Sequence, residues 1–308
     1  VKENNFLGRG VMLDTSLDIT EETIRGKFSV LNPYFNYSGN SLFTVIESSK
    51  TDKLADSGYE TTRTGFSLGT NFEQYEDFYV GPKISSYYED VSTSSTASSM
   101  LQKQAGTYAS ADFSYSLTLD KRDQRWQTTD GFRSSFLQTL PLYSDTPALV
   151  HGFDYSHYRT LTEDVIGSFK FYSRAINSIN DKDVRISERV QVPSSMLRGF
   201  ARGKVGPKDG DDYVGGNYAA AVNLETSLPN LLPEGTKTDV SLFLDFGNVW
   251  GVDYSSTIDD SNKFRSSTGV SVNWFTPIGP LSFSYAIPLS SEPSDKKESF
   301  RFRIGTSF

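Results

Sequence analysis

Side chains alternate between apolar and polar over most of this chain, and no other feature narrows the possible folds as far. Leu281, Phe283, Tyr285, Ile287 and Leu289 alternate with Ser282, Ser284, Ala286 and Pro288. Phe113, Tyr115, Leu117 and Leu119 alternate with Asp112, Ser114, Ser116, Thr118 and Asp120. Val11, Leu13, Thr15, Leu17 and Ile19 alternate with Met12, Asp14, Ser16 and Asp18. Val240, Leu242, Leu244 and Phe246 share one face, opposite Ser241, Phe243, Asp245 and Gly247. A period of two puts successive side chains on opposite faces of a strand. The runs reach about 9–11 residues, the length a tilted strand needs to cross a bilayer's hydrocarbon. Strands of a soluble sandwich are usually shorter and turn more often.

Composition agrees with a thin wall. Hydrophobic residues make up 36% of the 308 and aromatic ones 14%. That balance suits a sheet one residue thick, apolar outside and polar inside. No run of about 18 apolar residues offers a transmembrane helix. A chain that crosses lipid without one must close into a barrel, because lipid cannot satisfy free backbone groups. Turn signals separate the runs at Asn32-Pro33, Ser38-Gly39, Gly81-Pro82, Asp130-Gly131, Pro229 to Gly235 and Pro277 to Pro280. Long polar connections, Thr51 to Glu60, Asp90 to Gln104 and Asp253 to Lys263, alternate with short ones. About fourteen strands can be marked directly. The stretch from Asn177 to Gly216 has room for two more, which makes an even total of about sixteen. The expected fold is all-β: a transmembrane antiparallel β-barrel spanning 1–308 as one domain.

Several functions are excluded or unsupported. A formal charge of -8 argues against nucleic acid as a partner. The absence of Cys removes thiolate metal sites. His151 and His157 share a face of one strand, but no carboxylate pair accompanies them at ligand spacing. Asp209, Asp211 and Asp212 lack the spacing of a calcium loop. Gly203-Lys204 precedes Val205 rather than Ser or Thr, so it is no phosphate loop. No nucleophile elbow appears. The expectation is a protein without catalysis, cofactor or metal.

Two motifs remain. The chain ends in FRFRIGTSF, a strictly alternating run closed by Phe308, which reads as both a closing strand and an outer-membrane sorting signal offered as a free edge. MLRGF, Met196–Phe200, is followed by ARGKVGPKDG and then GGN at 215–217. This motif resembles the loop motif of the BamA-type barrel-assembly insertases. Other blocks are similar to that family in the same order. They are NNFLGRG from Asn4 at the first strand, NPYF from Asn32 at the first periplasmic turn, and LDKRDQRWQTTDGFR from Leu119. FLDFGNVW from Phe243 and WFTPIGPLSFSYAIPL from Trp274 follow. The resemblance covers essentially the whole chain. The family's periplasmic POTRA domains are not among these residues.

The resemblance carries implications. The loop motif Leu197, Arg198, Gly199 and Phe200 is expected inside the lumen, with Arg198 meeting acidic wall residues at Glu225 and Asp245. Alternation agrees independently, since Asp245 lies opposite Leu244 and Phe246, and Glu225 opposite Leu224, Thr226 and Leu228. The first strand, about Gly8–Ile19, is expected to pair with the last, about Ser299–Phe308, at a lateral gate. Its named residues are Gly10, Val11, Leu13, Arg303, Gly305 and Phe308. Glycines weaken such a seam, and an edge strand can template an incoming one. The implied function is folding and insertion of nascent outer-membrane β-barrel proteins in the bacterial outer membrane. Implied partners are outer-membrane lipids, those nascent barrels, and periplasmic lipoproteins of the assembly complex. A protein-translocating or secretion pore of the same superfamily is the alternative, with a diffusion porin third.

Overall fold

A computed structural model of the chain describes every residue except 126, 164, 230, 234–237, 259–262, 277–278 and 305–308. Among the described residues, fifteen strands form one continuous antiparallel sheet in chain order. They are numbered here as wall strands: β1 Lys2–Phe6, β2 Val11–Ile19, β3 Thr23–Asn32, β4 Ser41–Lys53, β5 Tyr59–Tyr75 and β6 Phe78–Thr93. Then come β7 Gly106–Asp120, β8 Gly131–Ser144, β9 Ala148–Thr162 and β10 Val165–Ser178. The series ends with β11 Tyr218–Leu228, β12 Thr238–Trp250, β13 Arg265–Thr276, β14 Gly279–Ser290 and β15 Phe300–Ile304. Each strand hydrogen-bonds to the next, so every connection is local except the long one from β10 to β11.

Register carries one face around the whole sheet. Asp245 pairs with Asn223 and Ser267, and Glu225 pairs with Ser168 and Phe243. Followed strand by strand, this face continues through Tyr158, Arg133, Ser116, Lys83, Ser67, Glu47, Lys27 and Asp14. It is polar and charged. The other face carries Leu17, Ile24, Phe28, Ile46, Phe66, Ile84, Leu242, Trp274, Tyr285 and Ile287, all exposed. Large apolar side chains exposed in a continuous band are the outer surface of a membrane barrel.

The connection between β10 and β11, residues 179–217, shows that the sheet wraps round. Arg185 of this connection reaches Glu89 on β6 at 3.1 Å, and Lys204 reaches Asp56 beside β4 at 2.5 Å. Arg198 reaches β11 and β12, and the Ala201 amide donates to Lys296 just ahead of β15. Only a sheet curled around this loop brings early and late strands to it together. The wall is therefore a transmembrane antiparallel β-barrel with a loop folded into its lumen.

Connections sort by side. One end has turns such as Leu7–Gly10 and Glu76–Asp77, and the other has the connections 54–58, 94–105, 179–217 and 251–264. At this second end, Tyr59, Val91, Ala97, Leu101, Ile186, Val214 and Tyr254 pack into a buried apolar cluster above the wall. The strands that feed it are long. The 17 residues of β5 span roughly 56 Å at the usual rise per residue, well beyond the ~30 Å of hydrocarbon even when tilted.

Three expectations need correction. Beyond the end of β10 at Ser178, the stretch Asn177–Gly216 adds no wall strand; it is the inserted loop, with a one-turn helix at Ile186–Glu188 and short ribbons. Its apolar residues imitate strands because they pack inside the barrel. NNFLGRG does lie at the first strand, with Asn4–Phe6 on β1, but no strand runs unbroken from Gly8 to Ile19: Leu7, Gly8 and Gly10 all have φ between 54° and 69°, a left-handed backbone that makes a turn. Gly10 thus lies in the β1–β2 turn, while Val11 and Leu13 sit on β2, which is paired on both sides. They are not at a seam, and NPYF becomes the second turn of its side. Gly305 and Phe308 lie outside the described residues.

Candidate functional site

The site begins with a glycine. Gly199 has φ 88°, a conformation glycine adopts without steric cost. A Cβ there would stand 3.2 Å from Ala286 and 3.3 Å from Ser267. The turn at Gly199 sends its two neighbours in different directions. Arg198 points to the wall. Phe200, 1% exposed, enters a buried cluster with Val192, Leu197, Val205, Ala219, Ala221 and Val249. The loop is thus held by apolar burial on one side and by charge on the other.

Arg198 grips two wall carboxylates. Its Nε donates to Asp245 Oδ2 at 2.8 Å and its Nη2 to Asp245 Oδ1 at 2.8 Å. Nη1 donates to Glu225 Oε2 at 2.9 Å. The Arg198 backbone amide also donates to Asp245 Oδ2 at 2.9 Å. The Ser267 hydroxyl donates to the Arg198 carbonyl, and the Asn223 amide donates to Asp245. The guanidinium carbon lies 3.4 Å from the centre of the Phe243 ring. Asp245 is fully buried. A planar fork meets a carboxylate with two parallel bonds, which a Lys ammonium cannot do. Strands β11 and β12 bring the acids together diagonally, since Asp245 is opposite Asn223 and Glu225 is opposite Phe243. The expected site residues Leu197, Arg198, Gly199, Phe200, Glu225 and Asp245 therefore form one contiguous group.

Of the residues expected at a seam, only Arg303 lies both at a sheet margin and within the described part. It sits on β15 opposite Ser282 and faces the lumen. Its neighbour on that face, Arg301, escaped sequence reading. So did two clamps nearer the loop end. Arg189 is buried and donates to Asp253, to Asn217 at 2.9 Å and to the Val184 carbonyl at 3.0 Å, with its guanidinium over Tyr254. Arg265 binds Asp295 at 2.9 Å and 3.0 Å. Their acidic partners are remote in sequence, Asp253 lying 64 positions from Arg189 and Asp295 lying 30 from Arg265.

Charge in the loops follows from these contacts. Burial alone would raise the Asp253 pKa, but Arg189 and hydrogen bonds from Asn217 and the Val184 amide bring it below the usual carboxylate range. Asp212 moves the other way: burial and the nearby Asp209 and Asp211 carboxylates raise it. Asp209 accepts hydrogen bonds from the Ser98 and Tyr254 hydroxyls. Among the described residues no group of three metal-ligating side chains assembles.

Relatives carry the same architecture. BamA, the outer membrane protein assembly factor of Neisseria meningitidis serogroup B, is 34% identical over 142 residues, covering 36% of this chain and 17% of its own length. BamA of Neorickettsia risticii is 27% identical over 221 residues, covering 68% of this chain and 29% of its own. The chain thus spans less than a third of either relative. The crystal structure of BamA from Haemophilus ducreyi lacking POTRA domains 1-3 superposes with a TM-score of 0.88 over 98% of this chain and 65% of that one, at 24% identity. These likenesses place the barrel in a bacterial outer membrane. The Omp85 superfamily domain matches residues 5–308. With every wall strand but part of the first inside that match, the chain belongs to the Omp85 superfamily.

Proposed function

We propose that this barrel folds and inserts nascent β-barrel proteins into the outer membrane at a lateral seam. The observation that carries the proposal is the clamp of Arg198 on Asp245 and Glu225, which fastens the motif loop inside the barrel. Among the described residues, β1 and β15 are the two margins of the sheet. A margin that accepts a strand by backbone hydrogen bonds is the requirement for templated insertion. The insertion would be driven by burial and hydrogen bonding of the client, without covalent chemistry. The names of the two BamA relatives support the same reading, and periplasmic lipoproteins would assist as assembly partners.

The seam in this proposal differs from a β2–β15 pairing. Its C-terminal side is β15, with Arg303 in the lumen and Phe300 and Phe302 toward lipid. A photo-crosslinking residue at Phe302 should trap a stalled client, while one at Leu244, mid-wall on the same face, should not. Equal adducts at both positions would defeat the proposal. A secretion pore is the competing reading, and steady conductance in a planar bilayer would favour it.

A further inference from the structure

We infer that Arg301 is a positioning residue that locks the motif loop to the last strand, so that loop and strand move as one body. Arg301 is the second residue of β15 and faces the lumen. Its Nη1 donates to the Ser194 carbonyl at 2.9 Å and its Nη2 to the Phe200 carbonyl at 2.7 Å. Glu298 pairs with the same guanidinium. One side chain therefore holds the loop on both sides of the Arg198 position.

The backbone adds a second tie. Gly199 pairs with Glu298 and Phe200 with Lys297 in a two-strand ribbon. The Ala201 amide donates to the Lys296 carbonyl at 2.8 Å, and the Lys296 amide to the Lys204 carbonyl at 3.1 Å. Among the described residues, β15 has one wall neighbour, β14, over five register pairs. The loop takes the place of a second neighbour at the start of the strand. The loop is in turn fastened to β11 and β12 through Arg198. Swinging β15 away from β14 must therefore break the ribbon or carry the loop with it.

Two sites joined through a rigid link influence each other reciprocally. Loosening the loop at Arg198 should loosen β15, and loosening β15 at Arg301 should loosen the loop. This inference rests on the proposed role of β15 as a working margin, but its structural half can be measured separately. Amide hydrogen exchange on the full chain in lipid vesicles reads both segments. Arg301→Gln should speed exchange at 199–204 and at 300–304 together, by about tenfold or more, because charge-assisted bonds to buried carbonyls are lost. Exchange along β12 should stay unchanged. Arg301→Lys should restore only part of the protection, since an ammonium lacks the fork that spans two carbonyls. Lys296→Pro removes a ribbon donor without touching Arg301, and should give the same paired loss if Arg301→Gln fails to fold. Faster exchange in the loop alone, or no change in either segment, would overturn the inference. Client insertion by the same variants tests the other half. Paired loosening with wild-type insertion would leave the lock in place and remove β15 from the working mechanism.

Discussion

At the scale of single residues, the account turns on Arg198 and what it faces. Removing one partner of a buried ion pair strands the other in low dielectric, which costs about 3–5 kcal/mol. Arg198→Ala and Asp245→Asn should each lower the temperature at which the barrel loses its compact electrophoretic form. Their effects should not add, because both break one contact; a double variant with additive losses would show that the two residues act apart. Glu225→Gln should cost less, since it makes one bond to Arg198 where Asp245 makes three. Asp253 gives a pH signature. Folding lowers its pKa, so its stabilising contribution is present above the unfolded carboxylate range and is lost as pH falls through the lower, folded value. Exchange protection in 179–217 should weaken through that acidic window in the wild type. Asp253→Asn should remove that part of the pH dependence; an unchanged profile would assign it to another group.

At the scale of elements, alternation makes opposite predictions for the two faces of the wall. Leu242 is 52% exposed on the outer face, while Ser156 lies on the lumen face opposite Lys170 and Arg133. Arginine at 242 should destabilise the barrel by about 2–4 kcal/mol if it sits near mid-bilayer. Arginine at 156 should leave heat stability much nearer wild type. Similar losses at both would break the assignment of faces. Alternation was legible because each wall strand meets two solvents, and Glu225 and Asp245 could be placed on the lumen side from parity alone. The β1–β2 turn was not legible. Its glycines, Gly8 and Gly10, suit a weakened strand as well as a turn, and nothing in the Leu7 side chain signals its left-handed backbone. The inserted loop misled for another reason: Val184, Ile186, Val190 and Val192 keep the spacing of a strand but pack within the loop and its buried clusters.

At the scale of the whole molecule, the barrel is a curled sheet with a long loop folded into its lumen and clamped at several points. Arg185, Arg189, Arg198, Arg265 and Arg301 all join segments distant in sequence. Such links could not be read from the chain because their partners are fixed by curvature of the sheet, which sets which strands the loop can reach. They also distinguish a barrel organised around its loop from an open channel. The most direct measurement is client insertion into defined vesicles by the reconstituted full chain. Insertion of an unfolded outer-membrane barrel should be faster than in protein-free vesicles, and the acceleration should be lost in Arg198→Ala. An insertion rate equal to that of bare lipid, alongside a steady ion conductance, would contradict the account.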